Sequence, residues 1–178
     1  MTNYPHLDPS PPQFQPLVDI VSGRVHSVRA TGEYVQPAHR NDWLEDAAWR
    51  LLEGAAQAAV MWRARGWQVP VAVHLSGAKL PAHGAQRLRA RLPRWREARG
   101  LAPDALLFEP GVEHLLAPEP VDDLLAWYRL RDSGWTLAQG DFICPPSPAW
   151  LIAPAVQQWG AHFQVIEAAF ALPGACDY

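Results

Sequence analysis

The sequence predicts an α/β fold in which a β-hairpin is followed by parallel strands alternating with helices. Three observations carry this. FQPLVDI and RVHSVRA are strand-like runs, and Val21, Ser22 and Gly23 between them supply a turn. Residues 70–75 (PVAVHL) and 105–109 (ALLFE) are short, almost wholly apolar runs, as expected of strands buried on both faces. Segments with helical spacing separate these runs, and that order implies a parallel sheet with right-handed crossovers.

Taken in order, residues 1–13 hold four prolines and read as an irregular arm, with a single domain over 14–178. The hairpin covers residues 14–28 and a loop covers 31–40. Asp42 suits the N-cap of a helix over 43–65 that Gly66 ends, with Leu44, Ala47, Ala48, Leu51 and Leu52 at helical spacing. A second helix is expected over 82–99, kinked or divided by Pro93. A third spans 121–132 and opens with Asp122 and Asp123, whose charge suits the positive end. Residues 135–142 are read as a strand, 148–159 as a helix and 163–167 (FQVIE) as a final strand.

Composition narrows the function classes. The 178 residues, 49% hydrophobic with 9 Trp, suffice for one well-packed domain. A formal charge of −3 gives no reason to expect a nucleic-acid partner. The basic run Arg87, Arg89, Arg91, Arg94, Arg96 and Arg99 spreads over more than one helical face, so it reads as a solvated outer surface. No apolar run reaches the roughly 20 residues of a membrane helix, and the N-terminus has no signal-peptide pattern. Two cysteines do not make a disulfide scaffold; Cys144 reads as a small core residue. The expected location is the cytoplasm.

The hairpin FQPLVDIVSGRVHSVRA resembles the opening of an EAL domain, in which [YF]QPIVDL is followed by a Gly and then by the Glu-Ala-Leu motif. Phe14, Gln15, Pro16, Val18, Asp19, Gly23 and Arg24 fall at matching places. WRARGWQVPVAVHLSGAKL is similar to the segment carrying VNLS, LLFEPGVEHLL to LxLEITExxLL, SGWTLAQGDF to GVxLALDDFG, and FQVIEAAF to LKIDRSF. The five segments follow family order from about residue 14 to 170. The resemblance implies an incomplete TIM-like, EAL-type barrel with an N-terminal hairpin and about four parallel strands alternating with helices. Complete EAL domains cleave cyclic-di-GMP by metal-assisted attack of water, which requires several carboxylates around divalent ions together with a base and a phosphate-holding cation.

Most of those residues are replaced. The motif Glu, a metal ligand, falls on Arg29, which reverses the charge and would repel a cation. The phosphate-holding Arg falls on Glu33 and the Asn ligand on His74. The ligand Glu is kept as Glu109. The first Asp of DDFG is Gly140 and the second is Asp141. The catalytic Lys falls on Val165 and its neighbouring Asp on Glu167. The later family strands, with the base and a nucleotide-contacting Gln, have no counterpart before Tyr178. The implied remnant pocket is Gln15, Arg29, His74, Glu109, Asp141 and Glu167, with Arg29 paired to Glu109 or Asp141. It holds no catalytic residue, metal or cofactor.

The first expectation is therefore a non-catalytic regulatory or scaffold protein in bacterial signalling that binds another, unidentified protein. Self-association as a dimer is also expected, with Trp150, Trp159, Phe163 and Phe170 near the contact. Neither nucleic acid, membrane nor cyclic-di-GMP is the expected partner. Two alternatives stay open: a sensor that binds cyclic-di-GMP or a related nucleotide without hydrolysis, and a metal-dependent hydrolase rebuilt around His74, Glu109 and Asp141.

Overall fold

A computed structural model describes residues 11–32, 43–74, 82–108 and 115–170. The expected Asp42 cap and Glu33 lie outside them, as does most of the proline-rich arm. In chain order the elements are β1 (Gln13–Asp19), β2 (Val25–Thr31), α1 (Trp43–Ala64), β3 (Val71–Val73), α2 (Ala82–Glu97), β4 (Leu106–Phe108), α3 (Leu124–Asp132), β5 (Leu137–Ala138) and α4 (Ala149–Phe170). The architecture is α/β: a five-stranded mixed sheet of order β4-β3-β2-β1-β5 with four helices.

The hairpin forms where its sequence predicts. β1 and β2 pair antiparallel, Gln15 opposite Arg29, with a bulge at Leu17 and Val18. The turn closes through Gly23, at φ 65°, whose N–H donates to the Asp19 carbonyl. β3 joins β2 in parallel, and β4 joins β3 in parallel. β5 pairs antiparallel with the other side of β1. β2, β3, β4 and β5 therefore share one direction, and β1 opposes them.

Alternation splits the sheet into two faces. Phe14, Val18, Val28, Ala30, Val71, Val73, Leu106 and Ala138 face the main core with Leu51, Leu52, Ala55 and Trp62 of α1 and Ile152, Trp159, Phe163 and Ile166 of α4. Phe14 meets Trp62 edge-on, and the Trp62 indole N–H donates to the Ala149 carbonyl at 3.0 Å. The opposite face carries Gln15, Leu17, Ser27, Arg29 and Ala72. All but Arg29 of these are buried, so β1 is covered on both sides.

Helix ends follow local chemistry. Gly66, at φ 79°, donates to the Arg63 carbonyl and ends α1. Asp123 caps α3 by accepting from the Ala126 N–H at 2.7 Å, so this helix begins three residues later than the sequence reading. α2 continues through Pro93. Three arginines on or just after it make structural contacts. Arg91 lies over the Trp49 ring and Arg99 over Trp95, Arg99 also pairs with Glu53, and Arg96 donates to the Ala102 carbonyl.

Two expectations are corrected. The strand over 135–142 contracts to Leu137–Ala138, because residues 139–142 wrap around the Val121 backbone: Val121 N–H donates to the Gln139 carbonyl, and Phe142 N–H to the Val121 carbonyl. Residues 163–167 are not a strand but the fifth turn of α4. Phe, Val and Ile at 163, 165 and 166 suit a short apolar strand locally. Over the longer window Ile152, Val156, Trp159, Phe163 and Ile166 recur at intervals of four and three, and this helical stripe is the one that packs. No helix among the described residues is long and apolar enough to cross a membrane.

The helical reading has a direct test. A strand would put Phe163 and Val165 on one face, whereas α4 buries Phe163 and leaves Val165 67% exposed. Phe163→Ala is expected to cost about 3–5 kcal/mol in denaturant unfolding. Val165→Ala should stay within about 0.5 kcal/mol.

Candidate functional site

The candidate site lies on the sheet face opposite α1, where β1, β2 and the segment after β5 meet. Strand alternation places its members. Gln15 and Arg29 are cross-strand neighbours. Leu137 opposes Asp19, so Gln139 and Asp141 follow on the same side. The contacts agree: Arg29 Nη1 donates to Gln139 Oε1 at 3.0 Å, and Gln15 Nε2 reaches Asp141 Oδ1 at 3.4 Å and the Cys144 carbonyl at 3.0 Å. Gln15 is buried, Arg29 and Gln139 half-buried, and Asp141 exposed. His74 follows β3 directly and is half-buried.

The expected constellation is thus assembled in part. Gln15, Arg29 and Asp141 come together. Glu109 lies outside the described residues, so its expected pairing with Arg29 does too. Glu167 is not at the sheet: it sits on α4 and forms an ion pair with Arg131 of α3, because the segment carrying it is helical. Gln139 was not singled out from sequence, although its even spacing from Leu137 puts it on the Arg29 side.

A guanidinium occupies the β2 position, and the Gln139 amide oxygen accepts one of its hydrogen bonds. Hard divalent ions require several oxygen ligands, mostly carboxylates. Among the described residues no three His, Cys, Asp or Glu side chains come together. Gly140 adds a steric block. A Cβ built there would overlap the carbonyl oxygen and amide nitrogen of Val121. That backbone is fixed by its own hydrogen bonds to residues 139 and 142. Among the described residues the donor set does not fit a metal pair.

Beside this site runs a groove of about 480 Å³ between residues 142–147 and α4, lined by Phe142, Ile143, Pro145, Leu151, Trp159 and His162 among others. Its aromatic wall is continuous: Phe142, Trp159 and His162 contact one another, and Trp159 contacts Trp127 and Phe163. Cys144 is buried at its floor. Burial pushes its thiol up, Asp141 adds to the shift, and a hydrogen bond with Ser147 opposes it. Of the aromatic interface candidates, Trp159 and Phe163 belong to the core, Trp150 is 61% exposed, and the Phe170 side chain lies outside what the structure describes.

Two outcomes are expected. Gly140→Ala should destabilise the fold by about 2 kcal/mol or more, and Gly140→Asp should be worse and acquire no manganese-dependent rise in melting temperature. In a Cys176→Ser background, alkylation of Cys144 at pH 7 should be slower than that of a free thiol. The thiolate is the reactive form and burial disfavours it, so the rate should climb only above the ordinary thiol range near pH 8.5. Comparison with protein-family models and with curated proteins finds no match to this chain.

Proposed function

We propose that this chain is a non-catalytic, EAL-like regulatory or scaffold protein that acts by binding other proteins. Arg29 carries the reading. It stands where the resemblance requires a metal-binding carboxylate, and it is held there by Gln139. A positive charge at that point repels the ion that cyclic-di-GMP hydrolysis needs. Three further positions support it. Gly140 has no room for the first Asp of the motif. Val165, the counterpart of the catalytic Lys, is exposed on a helix. Glu167 is engaged by Arg131 of α3. In this reading the mixed sheet is an opened part of an EAL-type barrel, kept as a frame while its chemistry is lost. Its place is the cytoplasm.

Purified full-length chain mixed with cyclic-di-GMP and magnesium or manganese is expected to show no turnover above background and no heat of binding at high micromolar ligand. Turnover would overturn the proposal. Arg29→Glu alone should not restore activity, because parts that act as a unit fail as a unit. Co-purification from the native host should retain a protein partner, and a clean absence would count against a scaffold.

A further inference from the structure

α4 has two stripes. Ile152, Val156, Trp159, Phe163 and Ile166 face the protein's own core. On the opposite side Leu151, Pro154, Gln158, Ala161, Val165 and Ala168 are all exposed. Their intervals are three, four, three, four and three residues, the 3.5-residue period of a helix that pairs lengthwise with another helix. The exposed residues of α4 include no Asp, Glu, Lys or Arg. The helix has one charged residue, Glu167, which is half-buried and paired with Arg131. By contrast, α1 exposes Arg50 and Arg63, α2 exposes Arg89 and Arg94, and α3 exposes Arg129 and Asp132. An uncharged, exposed stripe about 26 Å long marks a contact surface.

Its chemistry selects the occupant. Helices that lie on membranes carry Lys and Arg along the polar face, and α4 carries none. Pairing with a different helix is specified by charges flanking the seam, and the flanking positions here are Gln157, His162 and Gln164. A two-fold contact sets a patch against itself, which favours a patch without like charges to oppose.

We infer that α4 pairs antiparallel with α4 of a second copy, about a two-fold axis between Gln158 and Ala161. That register sets Leu151 against the partner's Ala168, Pro154 against the partner's Val165, and Gln158 against the partner's Ala161. Each larger residue meets a smaller one, the complementarity that close packing requires. A parallel pairing would match every residue with itself, leaving gaps at Ala161 and Ala168. The contact deepens the proposed function by naming one partner, this same chain. It also moves the sequence expectation of dimerisation from a strand edge to a helix face.

Sedimentation of the full chain at tens of micromolar should show a dimer whose affinity does not fall between 0.05 and 0.5 M salt, since the seam has no ion pairs. Ala161→Glu should weaken it by more than about tenfold, because like carboxylates gather at the axis. Adding Gln158→Lys to the same chain should restore the dimer, since each ammonium then faces the partner's carboxylate. Val165→Glu provides a second disruption, and an unchanged far-UV spectrum checks the fold of each variant. A monomeric wild-type chain, a dimer that survives both disruptions, a dimer lost to salt, or a failed rescue would each overturn the inference. Cyclic-di-GMP turnover by the dimer would instead sink the functional proposal and leave this contact standing.

Discussion

The rest of the structure hangs on the contact between α4 and the hairpin turn. Trp159 donates its indole N–H to the Gly23 carbonyl at 2.9 Å in a buried setting, and the Phe163 ring fills the space where a Cβ on residue 23 would be. Gly23 is therefore fixed twice, by its positive φ and by the ring against it. The indole N–H has a partner, so the ring can be buried without stranding a donor. Once those two aromatics are spent on the hairpin, the register of the whole 22-residue helix is set, and the same rotation decides which residues look outward.

β1 transmits this anchoring to the candidate site. It pairs with β2 on one side and β5 on the other, and both of its faces are buried. At its start Phe14 exchanges two backbone hydrogen bonds with Ser147, at 2.8 and 2.9 Å, tying the strand to the segment that leads into α4. One face of β1 supplies core packing, and the other supplies the Gln15 amide, which bridges to Asp141 and the Cys144 carbonyl. The polar groups beside Arg29 are thus held by a strand that cannot slip without exposing Phe14 and Val18.

Elements were legible in the sequence where one signal dominated. The hairpin had two strand-like runs and a glycine turn together. α1 had a long apolar stripe and a terminal glycine. β3 and β4 had dense apolar runs too short for helices. The misreading at 163–167 arose because FQVIE satisfies both periods over five residues. Only the stripe reaching back to Ile152 separates them, and Gly160 with Pro154 obscured that continuity. Within the site, Arg29 and Asp141 were found because a family pattern pointed at their positions. Gln139 was not, since a glutamine near a strand end carries no signal until its partner is known. The role of Gly140 was invisible for a different reason: it depends on the backbone of Val121, nineteen residues away, and close backbone approach leaves no mark except the glycine itself.

Gly140 also ties the parts of the site together. The chain after β5 doubles back over Val121, taking the hydrogen bonds of residues 139 and 142. That path brings Gln139 to Arg29 and puts the Val121 backbone where any side chain at 140 would stand. An arginine at position 29 then costs little. Its charge meets an amide oxygen already in place, and it is only half-buried, so solvent shares its desolvation. A carboxylate at 29 would be met only after the Gln139 amide turned over to present its Nε2 donor. A side chain at 140 has no such adjustment open to it, because it would force the Val121 backbone away. The site is therefore held by its backbone as much as by its side chains.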